Sequence, residues 1–139
     1  MIHNIRFRLF IYENEDPEEL ILALLNILPT AEYEVEMAEG LLGEPMQILT
    51  GRIDKKRDCK DFLKNLLETD QEQLIKLNKD LNSKMDHSGN LFLRLDKTDA
   101  IDDIWTIIDK GDAIHLKIKI EAYPAKKEIA MKNLSEILP

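Results

Sequence analysis

A chain of 139 residues, 44% hydrophobic and 33% charged, has enough apolar material for one core and too much charge for a membrane-embedded protein. Its longest apolar run, Leu20 to Leu28, is interrupted by Asn26 and falls short of the roughly 20 residues needed to span a bilayer. The single cysteine excludes an intrachain disulfide and a Cys-rich zinc site, and a formal net charge of −8 argues against a simple nucleic-acid binder.

Residues Asn4 to Tyr12 alternate, with Ile5, Phe7, Leu9 and Ile11 on one side and Arg6, Arg8, Phe10 and Tyr12 on the other, as in a half-buried strand. This opening lacks the continuous apolar stretch of a signal peptide, so the expected location is the cytoplasm. Asp16, Pro17 and Glu19 predict a helix start, with aspartate as the cap and proline at the first helical position. Leu20, Leu24 and Ile27, with Ile21, Leu25 and Leu28, give that helix a broad apolar face, and Pro29 ends it. Glu32 to Met37 alternates again, Tyr33, Val35 and Met37 against three glutamates. Gly40-Leu41-Leu42-Gly43-Glu44-Pro45 reads as a turn into a third strand, from about Met46 to Ile53.

Asp54 is the expected cap of a second helix whose core stripe is Cys59, Phe62, Leu63 and Leu66. A third helix, about Gln71 to Met85, turns Leu74, Leu77 and Leu81 inward, and its many Lys, Asn and Asp residues predict loose packing at one edge. After a turn at His87 to Asn90, Leu91 to Asp96 is a fourth strand. Lys97 to Asp103 then reads as a short helical turn, and Ile104 to Ile108 is compatible with a strand. Asp109 to Asp112 turns the chain into the clearest strand, Ile114 to Ala122, and Pro124 precedes a last helix carrying Ile129, Ala130, Leu134, Ile137 and Leu138. No repeat, linker or low-complexity tract divides the chain. The expectation is a single α+β domain over residues 1–139, a mostly antiparallel sheet with helices packed on one face.

Catalytic chemistry finds no foothold in this pattern. His3, His87 and His115 lie far apart in sequence, Cys59 sits on a core stripe with no base beside it, and no metal-ligand spacing occurs. There is no phosphate-binding glycine loop; the G-x-x-G at Gly40 to Gly43 joins two strands, unlike a KH loop, which joins two helices. The expectation is a non-enzymatic protein with no cofactor and no metal.

Charge is distributed unevenly. Leu9 to Gly51 holds no Lys or Arg but ten of the 27 acids: Glu13, Glu15, Asp16, Glu18, Glu19, Glu32, Glu34, Glu36, Glu39 and Glu44. The remainder is slightly basic. Arg52, Lys55, Lys56, Arg57 and Lys60 gather at the start of the second helix, either as phosphate ligands or as an ordinary solvated helix face. A second candidate is the polar face of the sheet, with Arg6, Arg8 and Phe10, Phe92 and Arg94, then His115, Lys117, Lys119 and Tyr123. Basic residues interleaved with aromatics on a sheet can hold a nucleic-acid backbone and stack bases, unless Glu32, Glu34, Glu36 and Glu121 neutralise them across strands.

Gly89-Asn90-Leu91-Phe92-Leu93-Arg94-Leu95-Asp96-Lys97, Ile118 to Lys127 with its Glu121, Tyr123 and Lys126, the G-x-x-G-x-P turn at Gly40 to Pro45, and Arg57-Asp58-x-x-Asp61-Phe62-Leu63 together resemble a family of small archaeal proteins described as RNA-binding, predicted exosome-associated subunits. The likeness runs from Ile2 to Leu138. It departs at Glu44, where Asn is common, and at Thr98-Asp99, where Gln-Ala is common; both changes make the surface more acidic. The resemblance implies a fold similar to the ribosomal protein that binds 5S rRNA and a role near RNA processing or translation. The expected partner is RNA, structured or single-stranded, or an RNA-processing complex, with no membrane. Phosphates would be held by Arg52, Lys55, Lys56, Arg57 and Lys60; Arg94, Lys97, Lys117, Lys119 and Lys126 would extend the surface, and Phe92 or Tyr123 would stack bases. The rival expectation is a protein-interaction module whose acidic Leu9 to Gly51 region docks a basic protein.

Overall fold

The computed structural model describes all of residues 1–139. The elements run β1 (Ile2–Tyr12), α1 (Pro17–Ile27), β2 (Tyr33–Glu39), β3 (Pro45–Ile53), α2 (Lys56–Leu67), α3 (Gln71–Lys84), β4 (Asn90–Asp96), α4 (Lys97–Ile101), β5 (Ala113–Ile120) and α5 (Lys127–Ser135). The five strands form one sheet in the order β2-β3-β1-β5-β4, with every neighbouring pair antiparallel. This is the α+β architecture that the sequence predicts.

Strand alternation decides which face meets the helices. Ile5, Phe7, Leu9 and Ile11 of β1, Leu49 and Ile53 of β3, Leu91, Leu93 and Leu95 of β4, and Ile114, Leu116, Ile118 and Ile120 of β5 join the apolar stripes of the helices in one core. The opposite face carries Arg6, Arg8, Thr50, Arg52, Phe92, Arg94, His115, Lys117 and Lys119, and no helix covers it. Gly51 lets Phe7 lie flat on the core side of β3. A β-carbon at Gly51 would sit 2.3 Å from both the Phe7 ring and the Glu32 carbonyl oxygen.

Capping follows the sequence at α1, where the Asp16 carboxylate accepts from the Glu18 amide at 3.0 Å and Pro17 opens the helix. It departs from it at α2. Lys55 occupies the cap position with no side-chain bond, and Asp54 instead lies 3.8 Å from Arg52 Nε. The helix begins at Lys56, which puts Asp54 one residue too early to reach the free amides of the first turn. The expected loose packing of α3 is also corrected. Leu74, Leu77 and Leu81 are fully buried, and the polar residues that suggested looseness tie down the neighbouring segment. The Gln73 side chain donates to the Trp105 carbonyl at 2.9 Å and accepts from the Ile107 amide at 3.1 Å. Lys76 and Lys84 each donate to Asp109 at 2.7 Å, and these hydrogen bonds hold its carboxyl at about 2. Ile104 to Ile108 forms only an isolated bridge, Leu95 to Ile107, and not a sixth strand; the bridge uses the Thr106 carbonyl and the Ile108 amide, while the Ile107 amide points away from β4 to Gln73.

Lys97 lies at the junction of β4 and α4 and is only 4% exposed. Its ammonium donates to the Phe10 carbonyl at 2.7 Å, to Glu15 at 2.8 Å and to Asp112 at 2.8 Å, and lies 4.9 Å from the centre of the Tyr12 ring. All three N–H groups are thus satisfied, which a buried ammonium requires. Replacing Lys97 with Met leaves the Phe10 carbonyl without its donor and two carboxylates without their counter-charge. The expected loss is about 2–3 kcal/mol, at the lower end for a broken buried pair because both carboxylates are partly solvated. Urea unfolding measures it, with the exposed Lys126→Met as a control expected to stay within about 0.5 kcal/mol of the parent. Gly51→Ala, measured in the same way, should cost about 1–3 kcal/mol because Phe7 must leave its place.

Candidate nucleic-acid interface

Sheet register places the open-face residues in rows. Because directly paired residues share a face, one row reads Arg52, Arg6, Lys117 and Phe92 across β3, β1, β5 and β4. The next row reads Thr50, Arg8, His115 and Arg94, and on the other side of the first lie Asn4, Lys119 and Asn90. Arg6, Lys117 and Phe92 of the first row and all four residues of the second floor a shallow groove of about 660 Å³, walled beyond β4 by Ser83, Lys84, Ile108 and Asp109. Two aromatic rings interrupt the cations: Lys117 Nζ lies 5.8 Å from the centre of the Phe92 ring, and the Arg8 guanidinium lies 5.3 Å from that of Phe10, which meets His115 edge-on.

The expected cross-strand neutralisation does not occur. No carboxylate lies within 4.0 Å of Arg6, Arg8, Arg94, Lys117 or Lys119; Arg52 alone on this face has one, Asp54. Glu121 pairs instead with the amino group of Met1, at 3.2 Å. His115 sits in register between Arg8 and Arg94. Burial lowers its pKa, and the cations of Arg94 and Arg8 lower it further.

The residues singled out in the sequence fall into four places. Arg52, Arg94, Lys117, Lys119 and Phe92 share the open sheet face, and Lys119 also donates to the Ser88 carbonyl. Lys55, at the cap of α2, and Lys56, Arg57 and Lys60, on it, lie in the helix layer, where Cys59, Phe62 and Leu66 face the core and the basic residues face solvent. The five basic residues around the start of α2 are therefore divided, because Arg52 is the last open-face residue of β3. Lys126 and the fully exposed Tyr123 lie beyond the end of β5, and Tyr123 is not on the strand face. Lys97 is buried and fully engaged within the protein.

Arg6 and Arg8 belong at the centre of the groove. Their outward alternation on β1 is visible in sequence, but their adjacency to Arg52, Lys117 and His115 depends on register. Two other motif residues hold the fold: Asp96 caps α4 through the Asp99 amide at 2.9 Å, and Glu44 accepts from the Leu42 amide at 3.0 Å within the turn. Cys59 is buried, and burial, followed by the nearby Asp58 charge, raises its thiol pKa. No three His, Cys, Asp or Glu side chains gather in a way that could hold a metal ion.

Over 98% of its length the chain is 34% identical to the RNA-binding protein PAB1135 of Pyrococcus abyssi, covering 93% of that protein. Its structure superposes with a TM-score of 0.90 on Mth689, a DUF54 protein from Methanothermobacter thermautotrophicus, at 45% identity over 100% of this chain and 99% of that one. The protein AF2318 from Archaeglobus fulgidus follows, with a TM-score of 0.85, 30% identity and 99% of each chain covered. The family described as RNA binding matches residues 4–120, and the chain belongs to that family.

Proposed function

We propose that the protein binds RNA on the open face of its sheet, without catalysing a reaction, as an accessory of RNA-processing or translation machinery. The observation that carries this reading is the row Arg52, Arg6 and Lys117: like charges placed directly opposite one another on three adjacent strands, with one carboxylate, Asp54, at the margin. Such pairs destabilise a sheet. A polyanion laid across the rows relieves the repulsion and releases its own counterions. Phe92, about half-exposed among the cations, offers a ring on which an unpaired base can stack. Arg6, Arg8, Arg52, Arg94, Lys117 and Lys119 are the proposed phosphate ligands. Lys55, Lys56, Arg57, Lys60 and Lys126 lie where a longer RNA could continue, and Lys97 is assigned to the fold. The RNA-binding name of the Pyrococcus abyssi relative and the family description support the same reading. A separate reading, docking of a basic protein by the acidic region, is favoured by one specific feature, the uncovered edge at β2.

Fluorescence anisotropy with labelled single-stranded and hairpin RNAs, over a series of salt concentrations, tests the proposal. Affinity should fall with salt at a log–log slope of roughly −0.7 to −0.9 per phosphate contact. Arg6→Glu/Arg8→Glu/Arg94→Glu should abolish binding, whereas Lys55→Glu/Lys56→Glu/Arg57→Glu should weaken it only in part. The reverse ranking would move the interface to α2, and a flat salt response would refute phosphate-led binding.

His115 supplies an independent readout. In the free protein burial lowers its pKa, and the Arg94 and Arg8 cations lower it further. Phosphates seated on those cations should raise it, so RNA binding takes up a proton and affinity should increase as pH falls from neutral toward about 5. His115→Gln should flatten that dependence, and an NMR titration of the imidazole with and without RNA should show the upward shift directly.

A further inference from the structure

The opposite edge of the sheet has a different chemistry. β2 is the terminal strand, so its outer backbone groups have no partner in the sheet. It pairs with β3 without a register shift from Tyr33 to Glu39 and contains no proline, lysine or bulge, the usual devices that protect an edge. Its two faces are sharply distinct. Tyr33, Val35 and Met37 continue the core side of the sheet, but the helix layer stops short of them, leaving Val35 50% and Met37 66% exposed. The hairpin tip beside them presents Leu41 and Leu42 to solvent. On the other face Glu34 and Glu36 alternate with these residues, and neither has a Lys or Arg within 4.0 Å.

We propose that β2 is a docking edge for an extended protein segment in which basic and apolar residues alternate. Such a segment adds as a sixth strand, pairs its backbone with the free edge, lays its apolar residues over Tyr33, Val35 and Met37, and sets its Lys or Arg beside Glu34 and Glu36. Charge complementarity selects this occupant. A second copy of β2 would bring glutamate against glutamate on one face, which destabilises a strand pair. RNA is repelled by the same glutamates and finds no cation on this edge. The proposal stands independently of RNA binding, which uses the rows across β3, β1, β5 and β4.

A synthetic heptapeptide of alternating lysine and valine is the probe, added to isotope-labelled, RNA-free protein and followed by backbone amide shifts. Saturable binding with perturbations concentrated on Tyr33 to Glu39 is expected. Glu34→Lys/Glu36→Lys should weaken it by roughly tenfold or more, since two attractive cross-strand pairs become repulsive. Val35→Lys/Met37→Lys should weaken it as well, and an alternating glutamate–valine peptide should not bind. The proposal is overturned if a peptide with its lysines and valines in two separate blocks binds equally well, because charge alone would then suffice. Perturbations centred on other elements, or affinity unchanged in Glu34→Lys/Glu36→Lys, also overturn it, as does sedimentation showing a dimer that buries β2.

Discussion

The buried ammonium of Lys97 holds together the end of the sheet on which the remaining geometry depends. β1 is the central strand, but its pairing with β5 ends at Arg8 opposite His115, and its last residues, Leu9 to Tyr12, pair with β3 alone. Lys97 closes that gap. It supplies a donor to the Phe10 carbonyl and draws in Glu15 from the approach to α1 and Asp112 from the approach to β5. Four separate stretches of chain thus converge on one nitrogen. That convergence adds to strand pairing in placing Phe10 edge-on to His115 and beneath the guanidinium of Arg8.

Charge on the sheet is segregated by strand. Glutamates occupy the polar face of β2, while Arg and Lys occupy that of β1, β5 and β4, with Arg52 beside them on β3. A net charge of −8 hides this arrangement, because the sum runs over surfaces that a bound polyanion never meets together. Each territory repels what the other attracts, so a polyanion is steered onto the basic rows and away from the acidic edge. The like-charge rows are a cost to the free fold, the kind of local violation that functional surfaces commonly carry.

Much of the fold was legible because period-two alternation and helix stops are local signals. The alternation of Ile5 to Ile11, the Asp16-Pro17 cap and the stripe Cys59, Phe62 and Leu66 depend only on neighbours in sequence. What stayed hidden depends on distant partners. Lys97 reads as one more surface lysine until Phe10, Glu15 and Asp112 surround it. The polar residues of α3 suggested loose packing because nothing local reveals that Gln73 completes the hydrogen bonding of Trp105 and Ile107. The composition of the open face was readable strand by strand, but the rows were not, since the placement of Arg52 beside Arg6 beside Lys117 follows from the strand order. The missed cap at α2 is of another kind, a one-residue error in where the helix begins.

Strand order also governs how the protein is made. β1 is synthesised first and takes β3 as one neighbour, but its other neighbour, β5, begins only at Ala113. Until β5 emerges, about a hundred residues later, the backbone groups along that side of β1 have no strand to pair with, and Ile5, Phe7 and Leu9 lack part of their core. Pairings so distant in sequence slow folding and prolong the exposure of sticky intermediates. Arg6 and Arg8 alternate with those apolar residues, and charges so placed are the kind that discourage a strand from aggregating before its partner arrives.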